Sequence, residues 1–423
     1  MKKQINIRSV GRILLDFSKD AHRKNFRNYL LIQGVTKMPY ALGPRNKTRK
    51  RPSIRKLFKP LEAPLSNTIL EARGNRPLQM TFEDQLHALI YFHLEEHVSG
   101  RHLLHVLKED AFAREAIAPK AGINKSSFFE ALNSRGLEQL MQIFQELQAN
   151  ATKILPANMS NLGELVAIDG SLIDAVLSMY WADYRGGSKK AKTHIGFDIN
   201  RGIPTKIFLT DGKGDERPFV SQILSPGQTG VLDRYYQRHK SFDLWQLEKI
   251  HFVCRIKENT TKTIISVNAV KPEGIVFYDA IVLLGTKGVN QTETPLRVVG
   301  YRVANAEYWI ATDRFDLSAE EVALVYKLRW NIETFFGWWK RHLKVYHLIA
   351  RSQHGLMVQI LAGLITYLLL AIYCHEEHNE KVSIKRVREL RCKIRNEERL
   401  LDNEPPDMLH HVISGDDMFY AKT

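Results

Sequence analysis

The stretch ELVAIDG, residues 164–170, is where this chain of 423 residues changes from helical to strand-like sequence. A helical stretch, FDLWQLEKI (242–250), and a further strand, HFVCRIK (251–257), lie downstream. Between ELVAIDG and the helical stretch are three more strand-like stretches that end in turn-forming Gly, Asp or Pro: KTHIGFDI (192–199), IPTKIFLT (203–210) and TGVLD (229–233). The order of these elements predicts an α/β fold.

Residues 263–312 are strand-like almost throughout and show no helical period, in the segments IISVNAV, GIVFYDAIVLL, PLRVVGYRVA and EYWIAT. We interpret about 258–312 as a β-rich insertion within a domain that spans 160–375. Hairpin strands followed by a strand, a helix and a strand suit a ribonuclease-H-like sheet, so we expect that core for this domain.

The N-terminal part of the chain differs in character. From Met80 to Leu147 the apolar residues recur at helical spacing, which predicts a small helical domain at 77–150. Within it, AGINKSSFFEAL (121–132) has a glycine turn and Asn124 as a helix cap, similar to the second half of a helix-turn-helix. We therefore expect this domain to bind DNA.

The positive charge is concentrated at the N-terminus. Residues 1–60 hold seventeen Lys and Arg against Asp16 and Asp20, which equals the net charge of +15, so the other residues balance. The densest part is RNKTRKRPSIRKLFK (45–59), which includes Arg49, Lys50 and Arg51. A basic arm at 1–76 would bind a polyanion by neutralising phosphates, and nucleic acid is the favoured partner. A solubilising extension and an anionic membrane surface remain alternatives.

Three separate cysteines, Cys254, Cys374 and Cys392, exclude a disulfide framework and a zinc cluster of the CxxC type. The first residues, MKKQINIRSVGRILLDF, lack the apolar core of a secretory signal, so a cytoplasmic setting is expected. Residues Leu356 to Tyr373 are apolar enough to raise the question of a membrane span. The polar Gln359 and the isolation of this segment favour a buried helix and no membrane contact.

A long helix is predicted to begin at the capping box of Ser318 and Glu321. At roughly 100° per residue, Tyr326, Arg329, Glu333 and Lys340 share one narrow polar stripe. An ordinary solvated face with an Arg–Glu pair would give the same geometry. Largely opposite the stripe lies an expected core-facing side, formed by Leu324, Leu328, Ile332, Phe335, Trp339 and Leu343.

The spacing Tyr, two residues, Arg, three residues, Glu, six residues, Lys in YKLRWNIETFFGWWK (326–340) resembles the signature of the IS-four family of insertion-sequence transposases, of the DDE class. AIDGS (167–171) resembles the family's first-aspartate strand and VLDRYY (231–236) its second. The resemblance covers about Leu165 to Tyr373. One departure is the residue after Arg234, where a glycine is common in the family.

The resemblance implies a ribonuclease-H-like catalytic core in which Asp169, Asp233 and Glu333 hold Mg²⁺ (or Mn²⁺). Two such ions roughly 4 Å apart stabilise the attacking and leaving oxygens of phosphodiester cleavage, and carboxylates are suitable ligands. Asp211 and Asp215, in LTDGKGDER, compete with Asp233 for the second position. Aspartates after strands are also common turn or capping residues, which is the alternative for all of them.

The resemblance also implies that Tyr326, Arg329 and Lys340 contact phosphates near the cleaved end. Some relatives stack a flipped base on tryptophan, and Trp309 and Trp330 are the candidates, although core packing is the simpler expectation for both.

Lys192 and His194 lie on one side of a predicted strand, in reach of the candidate metal site, and are assigned no role. A structural position is the ordinary expectation for a single strand histidine.

The implied function is a DNA transposase of a prokaryotic, nucleoid-associated kind that binds terminal inverted repeats and target DNA, acting as a homodimer by analogy. Residues 376–423 form a tail with a basic helical segment, VSIKRVRELRCKIRNEERLL, which would bind DNA or a second subunit. The alternatives are a stand-alone nuclease of the same fold and a non-catalytic, domesticated DNA-binding protein.

Overall fold

A computed structural model describes residues 53–69, 80–119, 121–343 and 347–402. Over these ranges the chain has a mixed α/β fold, which confirms the predicted class. The helices are α1 Ser53–Phe58, α2 Glu62–Asn67, α3 Phe82–Leu94, α4 Gly100–Glu109, α5 Ala111–Ala116, α6 Lys125–Ser134, α7 Leu137–Ile154, α8 Val220–Ile223, α9 His239–Leu247, α10 Ala319–Leu328, α11 Trp330–His342, α12 Gln353–His378 and α13 Ile384–Asp402. The strands are β1 Leu165–Asp174, β2 Lys190–Asp198, β3 Ile203–Asp211, β4 Thr229–Leu232, β5 His251–Ile256, β6 Lys262–Val267, β7 Val276–Leu284, β8 Leu296–Val303 and β9 Ala306–Thr312.

All nine strands form one sheet in the order β3-β2-β1-β4-β5-β9-β8-β7-β6. The hairpins β1–β2 and β2–β3 are antiparallel, whereas β4 runs parallel to β1 and β5 parallel to β4. Strand β9 pairs antiparallel with β5. The strands predicted for the β-rich insertion are therefore present, and they extend the main sheet.

Helix α12 is the long apolar segment noted in the sequence. It is the one helix in the described ranges that is long and apolar enough to cross a membrane, and 94% of its most apolar stretch is buried inside the protein. Its polar residue is satisfied, because Gln359 accepts from the Ile349 N–H at 3.0 Å and donates to the His347 carbonyl at 2.9 Å. The segment is thus a core helix of this fold.

The helices α3, α6 and α7 pack around α12, so the helical segment and one face of the sheet share a single apolar core. Helix α6 begins as expected, with Asn124 Oδ1 accepting from the Ser126 N–H at 2.9 Å. A second, smaller core lies on the opposite face of the sheet, under α8 and α9. The sheet is covered on both faces.

Two peripheral segments differ from the sequence analysis. Residues 53–69, assigned to the basic arm, form two short helices in which Ile54 and Leu57 are fully buried. The apolar side of α13 is also buried, at Val387, Leu390 and Ile394, and the helix contacts α1 and α5 of its own chain. Binding of DNA or a second subunit by this segment stays a prediction, but the apolar side of α13 is not exposed for it. It is already covered, because a short arm segment and the helical layer fold over it.

His93 of α3 joins three helices. Its ring is fully buried, with Nδ1 2.7 Å from the Leu343 carbonyl oxygen and Nε2 3.1 Å from the Gln359 carbonyl oxygen. Burial lowers the pKa of His93 to about 4, and the two carbonyls oppose that effect only in part. His93 is therefore neutral at pH 7, so its single N–H donates to one of the two carbonyls, and the ring joins α3 to the end of α11 and to the first half of α12.

Acid should destabilise the protein through His93. Between pH 6.5 and 4 the unfolded His93 takes up a proton that the folded one does not. The contribution of His93 to the free energy of unfolding is therefore complete above pH 6.5 and is lost as the pH falls. This shift corresponds to about 3 kcal/mol. We expect His93→Gln to show a smaller loss of unfolding free energy than wild type between pH 7 and pH 4.5, measured by urea denaturation. His105→Gln, at an exposed position, is the control. Equal pH slopes for His93→Gln and wild type would contradict the assignment.

Candidate active site at the edge of the parallel strands

The pairing of β1 with β4 places two aspartates side by side. Ala167 and Val231 are partners in this parallel register, and both belong to the larger core. Side chains two residues further along a strand point to the same face, so Asp169 and Asp233 emerge next to each other on the face covered by α10 and α11. The predicted end of the first strand at Asp169 is wrong, since β1 continues to Asp174. Strand β4 ends at Leu232, so among the described residues β1 has no paired strand on that side beside Asp169.

The predicted long helix begins where expected but is interrupted. Ser318 Oγ accepts from the Glu321 N–H at 3.2 Å and the Ser318 N–H donates to Glu321 Oε2 at 2.8 Å, which confirms the capping box. At Arg329 the backbone tightens: its N–H bonds the Tyr326 carbonyl, and its carbonyl accepts from the Ile332 N–H. These bonds span three residues instead of four, so α10 and α11 are two helices.

The interruption changes which side chains share a face. Tyr326 is only 6% exposed, with its ring 6.2 Å from the ring of Tyr308, so its predicted place on a polar stripe opposite the core is wrong. Leu324 and Leu328 are correspondingly half-buried. Beyond the interruption the prediction is accurate, and the buried residues of the expected face are Ile332, Phe335, Trp339 and Leu343.

Arg329 and Lys340 connect α11 to β1. The Arg329 guanidinium lies 3.8 Å from Asp169 Oδ2 and donates to Glu333 Oε1, so one cation contacts two of the three candidate carboxylates. Lys340 Nζ donates to the Leu172 carbonyl at 2.8 Å. Two of the four residues predicted on the stripe, Arg329 and Lys340, therefore contact the strand that carries Asp169.

The charge environment of Asp169 is unusual. The pKa of Asp169 is raised to about 7, because burial and, to a smaller extent, the charges of Asp233 and Glu216 outweigh the opposing effect of Arg329. Asp233 Oδ1 accepts from the Tyr235 N–H at 2.7 Å, which directs its carboxylate into the same opening. Such a carboxylate is stabilised by any cation that enters.

The carboxylates are not assembled as a complete set of metal ligands. Over the ranges that the structure describes, no group of three or more His, Cys, Asp or Glu side chains is close enough to hold one ion. Glu333 is turned towards Arg329, which neutralises it. The donor types suit a hard divalent cation, because all are carboxylate oxygens, but Glu333 would have to exchange its partner.

The rival aspartates are occupied elsewhere. Asp211 Oδ1 accepts from the Lys213 N–H at 2.7 Å in a turn. Asp215 pairs with Arg217 at 2.9 Å, and those bonds lower the pKa of Asp215 despite the opposing effect of burial. Neither contributes to the charge environment of Asp169. These contacts favour Asp233 over both.

Glu216 was missed by the sequence reasoning. It lies in the same GDER stretch as Asp215, but its charge raises the pKa of Asp169, and its carboxylate contacts Lys192 Nζ at 3.2 Å. The available signal was the run of acidic and basic residues directly after a strand in LTDGKGDER, a pattern that is also typical of a turn. Lys192, left without a role, is therefore a partner of this carboxylate.

The remaining candidates, His194, Trp309 and Trp330, differ in how far they are buried. His194 is buried, stacks on Phe219 at 4.2 Å between ring centres and lies 2.9 Å from Thr210 Oγ1, so it is a packed strand residue. Trp309 packs against Phe277 in an edge-on contact. The expectation of core packing is wrong for Trp330, which is 63% exposed, because it begins α11 directly after the interruption.

The predicted DNA-binding residues Arg49, Lys50 and Arg51 lie outside the described residues, as does the end of the tail, 403–423.

Comparison with known proteins bears on the segment that holds this site. Residues 161–369, which include Asp169, Asp233 and Glu333, match the family described as transposase DDE domain. This segment belongs to the transposase DDE domain family. The resemblance stated from the Tyr, Arg, Glu, Lys spacing is thereby confirmed at the level of an insertion-sequence DDE transposase domain.

Three curated relatives are similar to the chain. A probable transposase for insertion sequence element IS5377 of Geobacillus stearothermophilus is 30% identical over 48% of this chain and 55% of its own length. A putative transposase, y4zB, of Sinorhizobium fredii is 28% identical over 45% and 56%. A putative transposase for insertion sequence element IS4SA of Synechocystis is 25% identical over 59% and 72%. The chain thus spans little more than half the length of two of these relatives.

Among solved structures, a piggyBac transposase in a synaptic complex with hairpin DNA is 14% identical to the chain, with a TM-score of 0.41. The similarity covers 88% of this chain and 84% of that one. A similarity at that level does not establish a shared fold.

The contacts of Arg329 make its loss measurable. Arg329→Gln removes the cation that faces Asp169 and Glu333, which should cost about 2 kcal/mol without divalent metal. Mg²⁺ should then raise the melting temperature of the variant more than that of wild type, since the carboxylates no longer have a resident cation. Differential scanning calorimetry with and without Mg²⁺ measures both effects. The control is Arg302→Gln, which breaks an exposed Arg–Glu pair on β8. Equal Mg²⁺ responses for Arg329→Gln and wild type would contradict this interpretation.

Proposed function

We propose that this protein is a DNA transposase that cuts phosphodiesters at the ends of an insertion sequence and joins them to target DNA. Asp169, Asp233 and Glu333 would hold divalent metal ions, Mg²⁺ or Mn²⁺. The observation that carries the proposal is the convergence of Asp169 and Asp233 at one strand edge beneath the helix of Glu333, within a segment that belongs to the transposase DDE domain family.

The sheet supports a ribonuclease-H-like core. Its first five strands are arranged in the order β3-β2-β1-β4-β5, with three antiparallel strands followed by two parallel ones. The first aspartate lies on the central strand and the second follows its parallel neighbour. This is the arrangement expected from the family resemblance. It places both carboxylates on the face that receives α11.

Bound divalent ions would lower the pKa of the attacking water or 3′ hydroxyl and would stabilise the leaving oxygen. The protein's own residues prepare the site. Burial raises the pKa of Asp169, the charges of Asp233 and Glu216 raise it further, and an entering cation would offset these effects. Arg329 already balances part of that charge and would be released from Glu333, leaving its guanidinium to grip a DNA phosphate.

The other DNA contacts follow from position. Lys340 lies beside β1 and would contribute a point charge to the same strand of DNA. Tyr326 is buried beneath Arg329, with the guanidinium carbon 5.9 Å from its ring centre, so it would act by supporting Arg329. Trp330 is exposed directly next to Arg329, and its ring suits stacking on an unpaired base.

The remaining assignments extend the same proposal. The basic arm with Arg49, Lys50 and Arg51 would bind the DNA backbone, and the helical domain at 77–150 would bind the terminal repeats. Bringing two element ends together calls for a homodimer on double-stranded DNA. The setting would be the cytoplasm of a prokaryote, on the nucleoid, without membrane contact.

The carboxylate assignment has a direct test. Asp169→Asn, Asp233→Asn and Glu333→Gln should each reduce cleavage and strand transfer by at least about a thousandfold, as expected for groups that act as a unit. DNA binding should persist, because phosphate contacts by basic residues provide most of the affinity. The assay uses DNA with the element's own inverted repeats and follows nicking and joining on gels.

Asp211→Asn is the matched control, since an amide oxygen can still accept the Lys213 N–H in that turn. An active Asp233→Asn protein would overturn the assignment of the second carboxylate. Cleavage without joined products would indicate the stand-alone nuclease. Full biological function with Glu333→Gln would indicate a domesticated DNA-binding protein.

Removal of residues 1–50 tests the basic arm while leaving the packing of Ile54 and Leu57 in place. We expect weaker DNA binding and a shallower dependence of the logarithm of affinity on salt, because each lost phosphate contact lowers the slope by about 0.9. Fluorescence anisotropy between 50 and 300 mM salt, roughly the range over which such contacts are screened, measures it. An unchanged slope would exclude the arm from the DNA interface.

A further inference from the structure

We propose that Glu216 is a positioning residue that holds the two strand segments carrying Asp169 and Asp233 at the spacing a divalent metal needs. This inference rests on the proposed function. Glu216 would act through its neighbours and does not need to touch the metal or the DNA.

Glu216 is well placed for this role. Its side chain is 14% exposed, at the end of the connection between β3 and α8. Its Oε1 lies 3.2 Å from Lys192 Nζ of β2, and its Oε2 accepts from the Tyr236 hydroxyl at 2.9 Å. One carboxylate thus joins the hairpin partner of β1 to the turn that follows β4.

Both contacts adjoin a candidate carboxylate. Tyr236 is fully buried and comes three residues after Asp233, so the bond from its hydroxyl fixes the turn that directs Asp233. On the other side, Glu216 lies against Gly170, which directly follows Asp169. A Cβ at Gly170 would lie 2.6 Å from the Glu216 carboxyl carbon. Only glycine allows this close approach.

The charge of Glu216 is compensated by Lys192, whose Nζ also donates to the Gly214 carbonyl at 3.0 Å. The simplest alternative is therefore a buried ion pair with a purely structural role. The two roles have different consequences. A structural pair affects the stability of the whole fold, whereas a positioning residue affects the affinity of the neighbouring carboxylates for metal. Loss of such a supporting contact typically weakens metal binding 10- to 100-fold.

The experiment compares Glu216→Gln with wild type in the full-length protein. Mn²⁺ binding without DNA is measured from the loss of free Mn²⁺ signal in electron paramagnetic resonance, and the Mn²⁺ concentration for half-maximal cleavage is measured separately. We expect both values to rise at least about tenfold, with DNA affinity unchanged and with cleavage largely recovered at high Mn²⁺.

Two further variants sharpen the comparison. Glu248→Gln is the matched control, because Glu248 is also a half-buried carboxylate that accepts from a hydroxyl, that of Ser221 at 2.6 Å, but outside the site. Its Mn²⁺ affinity should equal that of wild type. Tyr236→Phe removes only the hydroxyl that Glu216 accepts from, and it should weaken Mn²⁺ binding in the same direction. It keeps the test decisive if Glu216→Gln fails to fold.

The outcomes separate the two proposals. If wild type binds Mn²⁺ and cuts the DNA while Glu216→Gln and Tyr236→Phe match it in Mn²⁺ affinity, the role of Glu216 is overturned and the proposed function stands. A fall in melting temperature without a change in Mn²⁺ affinity also overturns it, in favour of a structural ion pair. If wild type neither binds Mn²⁺ nor cuts DNA, the proposed function fails.

Discussion

The burial of helix α12 is the constraint on which the rest of the fold depends. This helix is apolar around its whole circumference, so a single sheet face cannot cover it, and the helices α3, α6 and α7 close over its other side. Its Tyr367 packs edge-on against Phe335 of α11 and donates to the Gly202 carbonyl at 3.0 Å. Through these contacts the core helix sets the position of α11, and hence of Glu333, relative to the sheet.

The candidate site is a balance of charge held between sheet and helix. Burial, with the charges of Asp233 and Glu216, raises the pKa of Asp169, and Arg329 is the cation that offsets part of this effect. Arg329 reaches both Asp169 and Glu333 because the helix is interrupted at that residue. The interruption therefore has an electrostatic consequence: it brings the guanidinium to the position where the carboxylates converge.

The predictions that succeeded depended on local patterns. Alternating apolar residues located the strands from β1 to β9, and hydrogen-bonding side chains located the helix starts at Ser318 and Asn124. Those that failed depended on what a residue meets in space. Nothing near Tyr326 in the sequence reports that Tyr308 of β9 covers it. The apolar side of α13 is likewise covered by α1 and α5, which are distant along the chain.

The sequence by itself determined the fold class, the order of the strands along the chain and the spacing of Tyr326, Arg329, Glu333 and Lys340, because each is set by residues a few positions apart. It also singled out Asp169 and Asp233 as candidates, through the resemblance of AIDGS and VLDRYY to the family's motifs. Only the tertiary structure decided that these aspartates lie abreast, that Arg329 faces Asp169 and that Glu216 joins Lys192 to Tyr236 nearby. The physical reason is that those relations come from strand register, helix packing and buried charge, which join residues far apart in the chain.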